Sequence, residues 1–186
     1  MLNLARPAGA AGFTLVEVMV ALAVTAFGLL GLAKLQALAY AGVKVASSRS
    51  IAAAEAEGMA SAMHVNTAFW QSTAAVAASP ITVTTAAAVN LGATIDCSAA
   101  VCTPQGIAIY DLANFGTQLA AALPAPLDAA TQPVSIRCAQ AVTPFATSPN
   151  VCTLTVSWSE QYQGSNSTGA LAQGQSTQSY SLVVQP

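Results

Sequence analysis

The sequence predicts an α+β fold in which one long N-terminal α-helix packs on a small antiparallel β-sheet. Three observations carry this expectation. An apolar run extends from Phe13 to Ala33, and helical spacing of apolar residues continues from there to Met63. The remainder breaks into short strand-like segments separated by Pro, Gly, Ser and Gln clusters. No proline lies between Pro7 and Pro80, so no ring clash interrupts a helix over that span.

Composition narrows the class further. Of 186 residues, 54% are hydrophobic and only 6% charged, and much of the apolar set is alanine. After Ala33 there is no second apolar run of about 18 residues, which excludes a multi-span membrane protein. A net charge of −2 with five basic residues excludes the clustered basic footprint that nucleic-acid binding needs.

Residues 1–12 read as a leader with one basic residue, Arg6. A secretory signal places its small-residue cleavage site after the apolar core. Here the small residues Gly9 to Gly12 precede that core, so cleavage there leaves the hydrophobic segment on the mature chain. Arg6 fits retention of the short N-terminal side in the cytoplasm, with the bulk exported.

Residues 13–33 are long enough to span a bilayer at ~1.5 Å rise per residue. They nevertheless contain Glu17. A carboxylate at mid-membrane depth costs about 2.5–3.5 kcal/mol, so an intramembrane ionisable residue is by default a functional residue. Gly28 and Gly31 in the same run suit either close helix–helix packing or a local point of unwinding.

Residues 34–63 continue the helix as its amphipathic half. Leu35, Leu38, Gly42, Val45, Arg49, Ala52, Ala56, Met59 and Met63 recur at steps of three and four, with Arg49 the one interruption of the stripe. Lys34 and Lys44 suit the water-side edge of the membrane segment, and Glu55 and Glu57 an exposed helix face.

Residues 64–186 read as the globular head. Asn66 to Ser79 is expected to be helix end and loop, and Ile81–Thr85 alternates like a short strand. Thr103 can cap a helix that begins at Pro104 and buries Ala108, Leu112, Phe115, Leu119 and Leu123, with Pro124 and Pro126 ending it. Val134–Cys138 and Cys152–Trp158 are expected to form a hairpin around a loop containing Pro144 and Pro149. A Gly/Ser/Gln-rich loop from Gln163 to Gln178 then leads to a last strand, Ser179–Val184.

The cysteines, at 97, 102, 138 and 152, all follow the apolar run. An even count outside the membrane reads as two disulfides in an oxidising compartment. Three connectivities are open. Local pairing, Cys97 with Cys102 and Cys138 with Cys152, is favoured because the second pair sits at the facing ends of two strand-like runs. The spacing lacks a Cys-x2-Cys pair or a nearby histidine, which argues against a metal site, and no cofactor is expected. His64, the lone histidine, lies near the helix end, and nothing places a base and a nucleophile together, so no catalysis is expected. Asp111 reads as a solvated or capping carboxylate.

Gly12-Phe13-Thr14-Leu15-Val16-Glu17, followed by the apolar run, resembles the class III signal of type IV pilins and type II secretion pseudopilins. The resemblance implies cleavage between Gly12 and Phe13 by prepilin peptidase, N-methylation of Phe13 by the same enzyme, and Glu17 as the assembly carboxylate. Pairing Glu17 with the Phe13 amine of a neighbouring subunit would neutralise both charges and fix axial register. Further residues are similar to the minor pilins called type IV pilus modification proteins, the PilV group. These are Ala26 to Gln36, the Cys97-x4-Cys102-Thr-Pro segment, Asp111-Leu112, and the strand ending at Trp158. Phe115 stands where that group commonly carries Trp.

The resemblance implies a minor pilin of a bacterial type IV pilus, held in the inner membrane by a single pass with its head in the periplasm, then carried into the extracellular fibre. It would contribute to initiation of pilus assembly, and hence to motility and adhesion. Its partners would be the inner membrane, prepilin peptidase, the major pilin, other minor pilins, and a possible tip adhesin. Two alternatives stand beside it. One is a type II secretion pseudopilin of the I-like group, against which the paired cysteines and larger C-terminal region count. The other is a membrane-anchored periplasmic binding module or adhesin that never assembles.

Overall fold

The structure is a computed structural model that describes residues 12–84, 86–140, 149–165 and 171–186. It is an α+β architecture: helix α1 (Leu15–Val65), then α2 (Thr67–Trp70), α3 (Thr73–Ala77), strand β1 (Ile81–Val83), helix α4 (Pro104–Ala122), and strands β2 (Val134–Gln140), β3 (Asn150–Ser165) and β4 (Leu171–Val184). The chain divides into two compact units, one ending at Tyr40 and one spanning Ala41–Pro186.

The first unit holds the N-terminal part of α1. Every described residue in it is exposed, including Leu15, Val16, Met19, Leu22, Phe27 and Leu30. A helix that is apolar all round and buries none of it within its own chain must be covered by lipid or by other subunits. The helix is long and apolar enough to cross a membrane, and this fits membrane anchoring.

The second unit is the head. Its four strands form one antiparallel sheet in the order β1-β2-β3-β4. From α1 it takes Ala52, Ala56, Met59 and Met63, all buried. The small side chains at 52 and 56 lie one turn apart on one stripe, and the methionines fill the space beyond. Of the predicted stripe, Leu35 and Leu38 stay exposed and Val45 is half-buried.

Helix α4 starts as its sequence predicts. Thr103 Oγ1 accepts a hydrogen bond from the Gly106 N–H at 3.1 Å, with Pro104 in the first turn. Ala108, Leu112, Phe115 and Leu119 are its buried face. At Gly116 the helix approaches the sheet so closely that a Cβ would stand 2.6 Å from Val83 Cγ1. Ile81, Val83, Val134, Ile136, Leu154, Val156 and Trp158 complete the core from the sheet.

Three expectations are corrected. Asn66 to Ser79 is not a simple loop but the short helices α2 and α3, with Trp70 fully buried. Alanine-rich sequence gave no periodic signal there; the turn is held instead by distant groups. Asn150 Nδ2 donates to the carbonyls of Trp70 and Ser72, each at 2.9 Å. The strand expected over Ile81–Thr85 ends at Val83, and Thr85 lies outside the described residues. The expected Gln163–Gln178 loop is largely strand: β3 runs on to Ser165 and β4 begins at Leu171. Main-chain pairing between neighbours sustains this ribbon where side-chain alternation is weak. The loop between β2 and β3 has Pro144 outside the described residues, whereas Pro149 directly precedes β3.

Candidate functional site

The N-terminal candidate residues lie within one turn. Gly12 and Phe13 precede α1 and are exposed, Phe13 at 83%. Thr14 Oγ1 accepts from the Glu17 N–H at 3.3 Å, which makes Thr14 the N-cap and Glu17 the third helical residue. Thr-x-x-Glu at this position is a capping-box sequence, and a carboxylate in the first turn also complements the helix dipole. This local role was legible in the sequence but is separate from the assembly role the resemblance implies. Among the described residues the Glu17 side chain forms no salt bridge, the single ion pair being Arg49 with Glu160.

That ion pair belongs to the head and was not foreseen from sequence. Arg49 Nε and Nη2 reach Glu160 Oε1 and Oε2 at 3.2 and 3.0 Å, a two-point pairing. Trp158 Nε1 also donates to Glu160 Oε1, at 2.9 Å. Glu160 is buried and Arg49 is more than half exposed, so the arginine brings its charge from the water side onto a buried carboxylate. The hydrogen bond that Arg49 donates to Glu160, and then the carboxylate's charge, raise the Arg49 pKa above its ordinary value. The one sequence clue was an arginine inside an otherwise apolar stripe, with its partner 111 residues away.

The cysteines pair as Cys97–Cys102 and Cys138–Cys152. Cys138 and Cys152 are buried and directly opposite one another on β2 and β3. Cys97–Cys102 closes an exposed turn just before α4, in which Ser98 donates twice to Asp96 Oδ1. Those bonds hold the Asp96 carboxyl below its ordinary pKa.

Among the described residues no group of three or more His, Cys, Asp or Glu side chains could hold a metal. An apolar cavity of about 200 Å³ lies against Gly116, Leu119, Leu123, Pro133 and Val156, and no titratable side chain lines it. A second groove between α1 and α4 carries Glu55 and Asp111 beside Asn114 and Gln118. Asp111 is half-buried there, and burial raises its pKa.

Comparison with known proteins bears on the N-terminus. Residues 8–33 match the family described as the prokaryotic N-terminal methylation motif, a stretch that contains Gly12, Phe13 and Glu17. No curated protein and no solved structure matches the chain. With the long N-terminal helix and the four-stranded antiparallel sheet, this motif supports a type IV pilin-like or pseudopilin-like precursor.

Proposed function

We propose that this chain is a minor pilin of a type IV pilus. Prepilin peptidase cuts between Gly12 and Phe13 and methylates the Phe13 amine. Residues 13–33 hold the mature protein in the inner membrane, with 34–63 as the amphipathic half of the helix and residues 64–186 as a periplasmic head. Other minor pilins and the major pilin then take it into the fibre, where it contributes to initiating assembly. The observation that carries this reading is a carboxylate, Glu17, in the first turn of an apolar helix whose described residues in the N-terminal unit are all exposed, and Glu17 has no ion-pair partner among the described residues. In lipid such a group is costly, and association that delivers a positive amine removes the cost.

The capping box supplies a different reason for glutamate at this position, and a pair of variants separates the two. Glu17→Gln keeps the capping-box geometry and loses the charge, whereas Glu17→Ala loses both. Both variants are expected to be cleaved and methylated, read by intact mass, and both to be depleted from sheared fibres. Normal recovery of Glu17→Gln in fibres would refute a charge-based assembly role. An uncleaved N-terminus in the wild-type chain would refute the pilin reading itself.

A further inference from the structure

Where α1 enters the head, the fold leaves a small polar pocket. Lys44 and Ser48 of α1, Ser159, Glu160 and Gln161 of β3, and Gln175 of β4 line a cavity of about 80 Å³. That is room for several waters or for one phosphate-sized group. The pocket is cationic on balance. Glu160 has its acceptors engaged: Arg49 Nε and Trp158 Nε1 donate to Oε1, and Arg49 Nη2 donates to Oε2. Arg49 Nη1 has no acceptor among the described residues. Lys44 is exposed and forms no ion pair among the described residues. Lys44, Arg49 and Glu160 together therefore leave one positive charge. The Ser159 hydroxyl and the Gln161 and Gln175 amides are the neutral hydrogen-bonding groups around it.

Its position along α1 sets what it meets. The apolar surface of the helix does not stop at Ala33: Leu35, Leu38, Tyr40 and Val43 are all exposed. Lys34 is the one charge between Ala33 and Lys44, and a lysine stem lies along apolar surface while its ammonium reaches water. On the reading that residues 13–33 sit in lipid, the layer covering these side chains is the membrane interface, where tyrosine and lysine are favoured. Lys44 lies where that surface gives way to the head. Its Cα–Cβ bond tilts toward the helix N-terminus, which is the membrane side. An exposed cation placed there faces lipid headgroups.

We infer that this pocket binds the phosphodiester of a membrane phospholipid whose headgroup carries no cation of its own, as in phosphatidylglycerol. A phosphodiester bears one negative charge and matches the single positive charge of the pocket. Its free oxygens accept a charge-assisted bond from Lys44 Nζ, with the Arg49 guanidinium beside them through Glu160. The glycerol hydroxyls beyond the phosphate meet Ser159, Gln161 and Gln175, each able to donate and to accept. A choline or ethanolamine headgroup would bring its own cation against Lys44, which like-charge repulsion disfavours. The head thereby gains a contact with the membrane surface that is separate from the spanning helix.

The test uses the full-length chain, extracted in mild detergent and weighed by native mass spectrometry after addition of phosphatidylglycerol, phosphatidylcholine or glycerol 3-phosphate. One retained phosphatidylglycerol per chain is expected, with the other two retained far less. Lys44→Gln should weaken that retention about tenfold or more, the effect of losing one hydrogen bond between charged groups. Lys34→Gln removes the neighbouring cation outside the pocket and should leave retention unchanged. Both variants should keep the emission of the buried Trp70 and Trp158, which shows that the head is folded. Equal loss in the two lysine variants would reduce the effect to diffuse surface charge and overturn the pocket. Equal retention of the two lipids, or of neither by folded protein, would overturn recognition of the headgroup. Displacement by glycerol 3-phosphate at equal concentration, or retention of an acidic protein that Lys44→Gln abolishes, would overturn lipid as the occupant. The inference rests on membrane anchoring by α1; release of the chain from its membranes by salt without detergent would refute that anchoring, a result separate from every lipid-retention outcome.

Discussion

Replacing Asn150 is expected to loosen the head more than its small size suggests. The residue begins β3 and is 1% exposed. Its amide donates to the Trp70 and Ser72 carbonyls at 2.9 Å each, and its main-chain N–H is taken by Gln71 Oε1 at 2.8 Å. The sheet is thus tied to the α2–α3 turn by one side chain. Asn150→Ala strips the donor from one fully buried carbonyl, at about 1–3 kcal/mol, and from one part-buried carbonyl, at about 0.5–1.5 kcal/mol. The sum is about 1.5–4.5 kcal/mol. With an m-value of about 2 kcal/mol/M, the urea midpoint should fall by ~1–2 M. Asn150→Asp fills the same volume but places acceptors against acceptors, so it should cost at least as much as alanine. Trp70 and Trp158 are both buried, and their fluorescence in detergent-solubilised full-length protein reports the transition. If Asn150→Asp unfolds at the wild-type midpoint, the two hydrogen bonds do not hold this turn and the reasoning fails.

Other perturbations divide along the same lines. Gly116→Ala forces a Cβ to 2.6 Å from Val83 Cγ1 and should destabilise the head by about 1–3 kcal/mol. Gly58→Ala meets nothing within 4 Å and should stabilise the helix by ~0.5–1 kcal/mol; a shared sign in urea melts would contradict the packing seen at Gly116. Removing the Cys138–Cys152 bridge, 14 residues apart in the core, should cost about 3 kcal/mol from loop closure. Removing Cys97–Cys102, which closes the shorter loop, should cost less, and the reverse order of midpoints would overturn this ranking. Asp111→Asn should raise stability at neutral pH. Burial lifts the folded pKa of Asp111 above its unfolded value, so its carboxyl favours folding below the unfolded value and loses that contribution as pH rises through the folded one. The advantage of the asparagine variant should therefore shrink to a constant difference in melts near pH 3, and growth of that advantage on acidification would refute the assignment.

What the sequence determined by itself was local in origin. Glu17 in an apolar run, the helix through Met63, the Thr103–Pro104 start of α4 with its buried face, and the hairpin of Val134–Cys138 with Cys152–Trp158 all depend on residues a few positions apart. Spacing, capping and alternation act at that range, and so could be read without coordinates. Tertiary structure decided the features whose partners are remote. Arg49 looked like a flaw in an apolar stripe until folding brought Glu160 and Trp158 to it across 111 residues. Asn66–Ser79 looked like loop until Asn150, about 80 residues on, supplied donors for its carbonyls. The Ser- and Gln-rich ribbon after Trp158 showed little apolar alternation because one strand's main chain satisfies the other's, and only the assembled sheet reveals that β4 is its edge strand among the described residues.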